Sequence, residues 1–173
     1  IYGAAISRAD IGGDFPGAPP SPRNILEIWR VGPFWVISFF FILLVGLEIG
    51  VYSMLPTFLI QERGIASGTT NTLVGVSRLT AVMTVFSSGW FVDRFGARRV
   101  IGVVSFLAAA CTVGIGLATG VPLLVFVLFQ PMLVAAFFPA GFAELARVTP
   151  RKSRNISVSL LAPVASLFGA GAV

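Results

Sequence analysis

Two charged side chains stand alone in otherwise apolar sequence. Glu48 is the one charge between Phe34 and Ile60, and Arg78 the one charge between Thr69 and Val92. A carboxyl group in such a setting can take up and release a proton, and a guanidinium can hold an anion or the carboxylate itself. Charges inside long apolar runs are costly and are retained mostly for function. The alternative is a structural ion pair that fixes the register of two helices. Tyr52 lies one helical turn after Glu48 and has the reach to line the same space.

The runs that carry these residues are long. The chain has 173 residues, of which 56% are hydrophobic and 11% charged, with a mean hydropathy of +0.93. Soluble domains are about half apolar at most. Roughly 20 helical residues cross the ~30 Å hydrocarbon core of a bilayer. The sequence therefore predicts an all-α membrane protein, a bundle of helices spanning about 34–60, 69–92, 100–121, 122–146 and 156–173. Barrel strands need only about 9–11 residues. Residues 1–32 contain Gly12-Gly13, Pro16, Pro19-Pro20 and Pro22, a linker composition, followed by a transmembrane domain over 33–173. Asn24–Arg30 fits either a short surface helix, with Ile25, Leu26, Ile28 and Trp29 facing lipid, or a loop leading into the first span.

Depth can be read from register. The first span ends near Phe58, ten residues after Glu48, and the second begins near Gly68, ten residues before Arg78. Both charges then lie roughly 15 Å below one surface, close to mid-bilayer. Equal depth on antiparallel neighbours permits direct pairing.

The net charge of +5 and the pI near 10.7 would suggest nucleic acid in a soluble protein. Here ten of the twelve basic residues fall in three links on one side: Arg8, Arg23 and Arg30; Arg94, Arg98 and Arg99; Arg147, Arg151, Lys152 and Arg154. Orientation accounts for them, with the basic side cytoplasmic, and no nucleic-acid partner is expected. With no histidine and one cysteine, Cys111, the sequence offers no metal set, no disulfide and no nucleophile beside a base. An enzyme is not expected, nor is a cofactor.

One link is more than an anchor. Gly89-Trp-Phe-Val-Asp-Arg-Phe-Gly-Ala-Arg-Arg99 joins the second and third spans, too short for a domain and shaped for a tight turn. Gly89, Asp93, Arg94, Gly96, Arg98 and Arg99 stand at the spacing Gly-x-x-x-Asp-Arg-x-Gly-x-Arg-Arg. This spacing resembles the signature loop of the major facilitator superfamily of secondary transporters. Gly89 suits a close helix crossing and Gly96 a turn with positive φ. Asp93 suits a cap or an arginine partner. The resemblance implies a cytoplasmic gating loop, with Glu144 at the same end as partner to Arg94 or Arg98. A local pair of Glu144 with Arg147 fits equally.

The resemblance implies four helices and part of a fifth from one six-helix half. The Gly/Pro-rich tail favours the C-terminal half, with the other half missing. It implies alternating access driven by an ion gradient, as a symporter or antiporter in a bacterial plasma (inner) membrane. The partners would be a small-molecule solute and the lipid bilayer. Three functions stay open: proton-coupled transport of a small, possibly anionic solute; drug or metabolite export; or a membrane scaffold or sensor without flux.

Overall fold

The structure, a computed structural model, describes residues 22–150 and 154–170. The linker expected over 1–32 therefore lies largely outside the described residues. Six helices follow one another: α1 (Pro22–Trp29), α2 (Gly32–Gln61), α3 (Ser67–Phe95), α4 (Ala97–Leu117), α5 (Val121–Val148) and α6 (Arg154–Ala170). No strand occurs among the described residues. The fold is an all-α membrane helix bundle. Helix satisfies every backbone polar group within one segment, as hydrocarbon demands. By length and hydropathy α2, α4 and α5 are each able to cross a membrane. α3 is as long but carries more hydroxyl groups, several turned back onto its own carbonyls, as from Thr84 to Thr80 (2.8 Å) and Ser88 to Val85 (2.7 Å).

Glycines in positive φ make the reversals. Gly64 (φ +65) follows α2, Gly96 (φ +83) separates α3 from α4, and Gly120 (φ +62) precedes α5. The long helices thus run up and down between a Gly96 end and a Gly64 end. α5 is the hub, packing most broadly on α3 and α4 and also on α2, while α6 covers α2.

Two apolar clusters are stacked along the bundle. Towards the Gly96 end, Phe34, Ile37, Phe41 and Leu44 of α2 meet Val100 and Val104 of α4 and Val134 and Phe137 of α5. Towards the Gly64 end, Tyr52, Leu55 and Leu59 meet Ile115, Leu123 and Val127. Close approach depends on two glycines. A Cβ on Gly141 would meet the Phe41 ring at 2.7 Å, and one on Gly114 the Phe126 ring at 2.7 Å. The outer faces remain apolar, with Phe86, Phe106 and Leu117 exposed, the surface that lipid covers.

α1 corrects one expectation. Trp29 and Leu26 are exposed, but Ile28 is fully buried in the cluster at the Gly96 end instead of facing outward. The Trp29 carbonyl accepts a hydrogen bond from the Trp35 indole (2.9 Å), which folds α1 back onto the start of α2.

Candidate functional site

Glu48 and Arg78 meet. One guanidinium nitrogen of Arg78 (Nη1) donates to Oε1 of Glu48. The guanidinium also lies over the Tyr52 ring, with Cζ 3.8 Å from its centroid, a cation–π contact that strengthens as water is excluded. The Tyr52 hydroxyl and Ser77 Oγ share a hydrogen bond of 3.2 Å, and Ser77 also donates to the Val74 carbonyl. Tyr52 and Ser77 are buried, Glu48 is half-buried, and the Arg78 side chain keeps 48% of its surface. The second carboxylate oxygen of Glu48, Oε2, is buried with no hydrogen-bond partner. The arrangement can exchange partners: a proton on Glu48 removes its charge and frees the guanidinium for an anion.

A second cluster sits at the Gly96 end. Glu144 is almost fully buried and takes two arginines. Arg98 Nε donates to Oε1 at 2.6 Å, and Arg147 Nε lies 3.0 Å from Oε2. Both readings of Glu144 are thus realised together, through Arg98 across helices and Arg147 along its own. Arg94 instead lies over Trp90, 5.9 Å from the ring centroid. The turn that brings Arg98 to Glu144 is made by Gly96, which is also the residue preceding the first turn of α4.

The family model of the Major Facilitator Superfamily matches residues 34–172, from the first turn of α2 through the end of α6. The chain belongs to the Major Facilitator Superfamily. It is thereby a multi-pass membrane protein of a transporter family. Neither a curated protein nor a solved structure matches it.

Within this superfamily chain the loop residues do not act as one unit. Asp93 is exposed and makes no side-chain hydrogen bond or ion pair among the described residues, and α4 has no side-chain cap. Gly89 suits a close helix crossing by its type. A Cβ there would meet nothing within 4 Å among the described residues, so that close crossing is absent. Arg99 lines an apolar groove of about 800 Å³ between α3, α4 and α5, together with Met83, Phe91, Val103 and Phe129. Ser77 escaped the sequence reading. Its neighbour Arg78 carries the charge that draws attention, whereas Ser77 is marked only by its burial and its contact with Tyr52 of α2.

Proposed function

We propose that this chain is part of a proton-coupled secondary transporter that carries a small solute, an anion, by alternating access across a bacterial plasma (inner) membrane. The observation that carries the reading is the Glu48–Arg78 pair, an ion pair that lies midway along its two helices and away from their ends. An intramembrane ion pair with a free carboxylate oxygen is a proton acceptor already coupled to an anion site. Protonation of Glu48 cancels its charge and releases Arg78, which then binds the anion. Loss of the proton restores the pair and expels the anion. Proton and anion therefore travel together. Transporter sites lie near the bilayer midplane, as these residues do by register.

The Glu144–Arg98–Arg147 cluster serves as a latch at the cytoplasmic end, holding α4 to α5 while the pathway is open to the other side. The run expected as a loop is two helix ends: Gly89, Asp93 and Arg94 lie in the last turns of α3, Arg99 lies in the first turn of α4, and Gly96 alone makes the turn between them. The excess of arginine at this end supports the orientation.

Uptake by the full-length protein in proteoliposomes, with a panel of anions and an imposed pH gradient, tests the reading. Glu48→Gln is expected to abolish uphill uptake and to leave exchange of solute. Arg78→Ala is expected to weaken anion binding. Full uphill transport by well-expressed Glu48→Gln would remove Glu48 from the mechanism. Recovery of pH-driven uptake in the double variant would reduce the pair to a structural one.

A second reading, export of apolar compounds, is favoured by the groove between α3, α4 and α5, whose hydroxyl groups on Thr84, Ser87 and Ser88 are bonded to their own helix. It predicts that Met83→Trp blocks transport of an apolar dye while uptake of anions persists.

A further inference from the structure

Gln130 is fully buried in the middle of α5, and neither its amide nitrogen nor its amide oxygen has a hydrogen-bond partner. Buried amides are almost always paired, and more so where no water is at hand. Gln130 therefore asks for a partner that is not a side chain of the described residues.

Register shows what it faces. The buried seam of α5 advances in steps of four and three through Leu123, Val127, Gln130, Val134, Phe137 and Gly141. The seam of α2 runs the opposite way through Phe41, Leu44, Glu48, Tyr52 and Leu55. Phe41 stacks edge-on to Phe137 at 4.9 Å. Leu44 shares a cluster with Val134, and Tyr52 shares the other with Val127. Glu48 and Gln130 are the positions left between those pairs, at the junction of the two apolar clusters. α3 and α5 run in parallel from the Gly64 end. Ser77 stands ten residues past Ser67, and Gln130 nine past Val121. Thr80 and Leu133, three residues further on each, line the same groove. Glu48, Ser77 and Gln130 thus share one level on three helices. At that level Glu48 Oε2 and both polar atoms of Gln130 lack partners.

We propose that Gln130 forms a third wall of the Glu48–Arg78 site, where its amide and Glu48 Oε2 together hold a hydroxyl group supplied by water or by the transported solute. The inference rests on the reading of Glu48 and Arg78 as the transport site. A hydroxyl group donates to Glu48 Oε2 and accepts from the amide N–H of Gln130 in one geometry, and the amide oxygen of Gln130 takes a second donor. An apolar group would leave all three atoms unpaired. A solute that meets Arg78, Glu48 Oε2 and the Gln130 amide N–H together carries an anionic head for Arg78 and a hydroxyl group between Glu48 and Gln130.

The test is thiol labelling of the full-length protein in a Cys111→Ser background with aminoethyl methanethiosulfonate. Glu48→Cys, Gln130→Cys and Val134→Cys are compared. Val134 is equally buried, one turn further along the same seam. Cysteine at 48 and at 130 is expected to react about tenfold or more faster than at 134, since a solvated site opens more readily than a dry core. Position 130 as inert as 134, with 48 reactive, would overturn the place of Gln130 and leave the Glu48 site standing. Positions 48 and 130 both inert would overturn the transport-site reading as well. Lactate and propionate, which differ by one hydroxyl group, separate the sources in the protein with Gln130 and Glu48 intact. A rise of the thermal midpoint with lactate alone assigns the hydroxyl to the solute, and an equal effect of the two assigns it to water. If Gln130→Cys fails to insert, Gln130→Leu decides by its thermal midpoint in detergent. A lower midpoint supports a satisfied amide. An unchanged or higher one means an amide stranded in a dry core and overturns the proposal.

Discussion

The Glu144 cluster makes a non-additive prediction. The carboxylate is 4% exposed, while the side chains of Arg98 and Arg147 are 68% and 61% exposed. Losing either arginine leaves Glu144 with the other, and water or lipid headgroups already solvate much of the pair. Each of Arg98→Ala and Arg147→Ala should therefore cost about 1 kcal/mol, the upper range for an exposed pair. Losing both strands a buried carboxylate without a counter-charge, which costs about 3–5 kcal/mol. The double variant should thus exceed the sum of the singles by about 1–3 kcal/mol. Adding Glu144→Gln removes the stranded charge and should restore most of the loss. A double-mutant cycle by reversible unfolding in mixed micelles measures all four variants. Additivity within about 0.5 kcal/mol, or no recovery on adding Glu144→Gln, would refute the burial argument.

Backbone geometry gives two further expectations. Gly114→Ala drives a Cβ into the Phe126 ring and should cost about 1–3 kcal/mol through overpacking; Gly116→Ala, with open space around it, is the matched control and should stay within about 0.5 kcal/mol in the same unfolding assay. Gly96→Ala places a side chain at φ +83, ψ 141, a region almost confined to glycine, and should cost about 1–3 kcal/mol; Gly89→Ala should leave the unfolding midpoint unchanged, because no neighbour lies near it.

Much of the fold was legible because a bilayer imposes one strong rule. Apolar runs such as Phe34–Ile60 read as helices whatever they pack against, and Gly96 reads as the turn between two of them. The Glu48–Arg78 contact was also legible, since lone charges in adjacent antiparallel runs can be compared for depth by counting residues. Less legible was anything that depends on a third helix. Ile28 reads as lipid-facing from its own short helix, yet α1 turns back and buries it. Gly89 reads as a contact point from its type alone, yet a Cβ there would meet nothing within 4 Å among the described residues. Gln130 carries no charge and interrupts no hydropathy window. Its weight appears only when the seams of α2, α3 and α5 are laid side by side.

Those seams explain why α5 is the hub. A helix with apolar residues at steps of three and four can be shifted along its neighbours by a turn with little loss, because Val and Leu are nearly interchangeable. Polar residues at seam positions remove that freedom, since a wrong register leaves them facing hydrocarbon. α5 carries Gln130 and Glu144 on the same seam, fourteen residues apart, or about 21 Å along the axis. One is near the middle of the bundle and the other near its Gly96 end. Glu144 is satisfied by Arg98 of α4, whereas Gln130, which register sets level with Glu48 and Ser77, is buried and unsatisfied. The helix is therefore pinned to α4 at one end and left with an open polar demand in its middle. On the reading proposed above, a group that answers the demand at Gln130 acts on the helix that also carries Glu144, with Pro131 and Pro139 lying between the two.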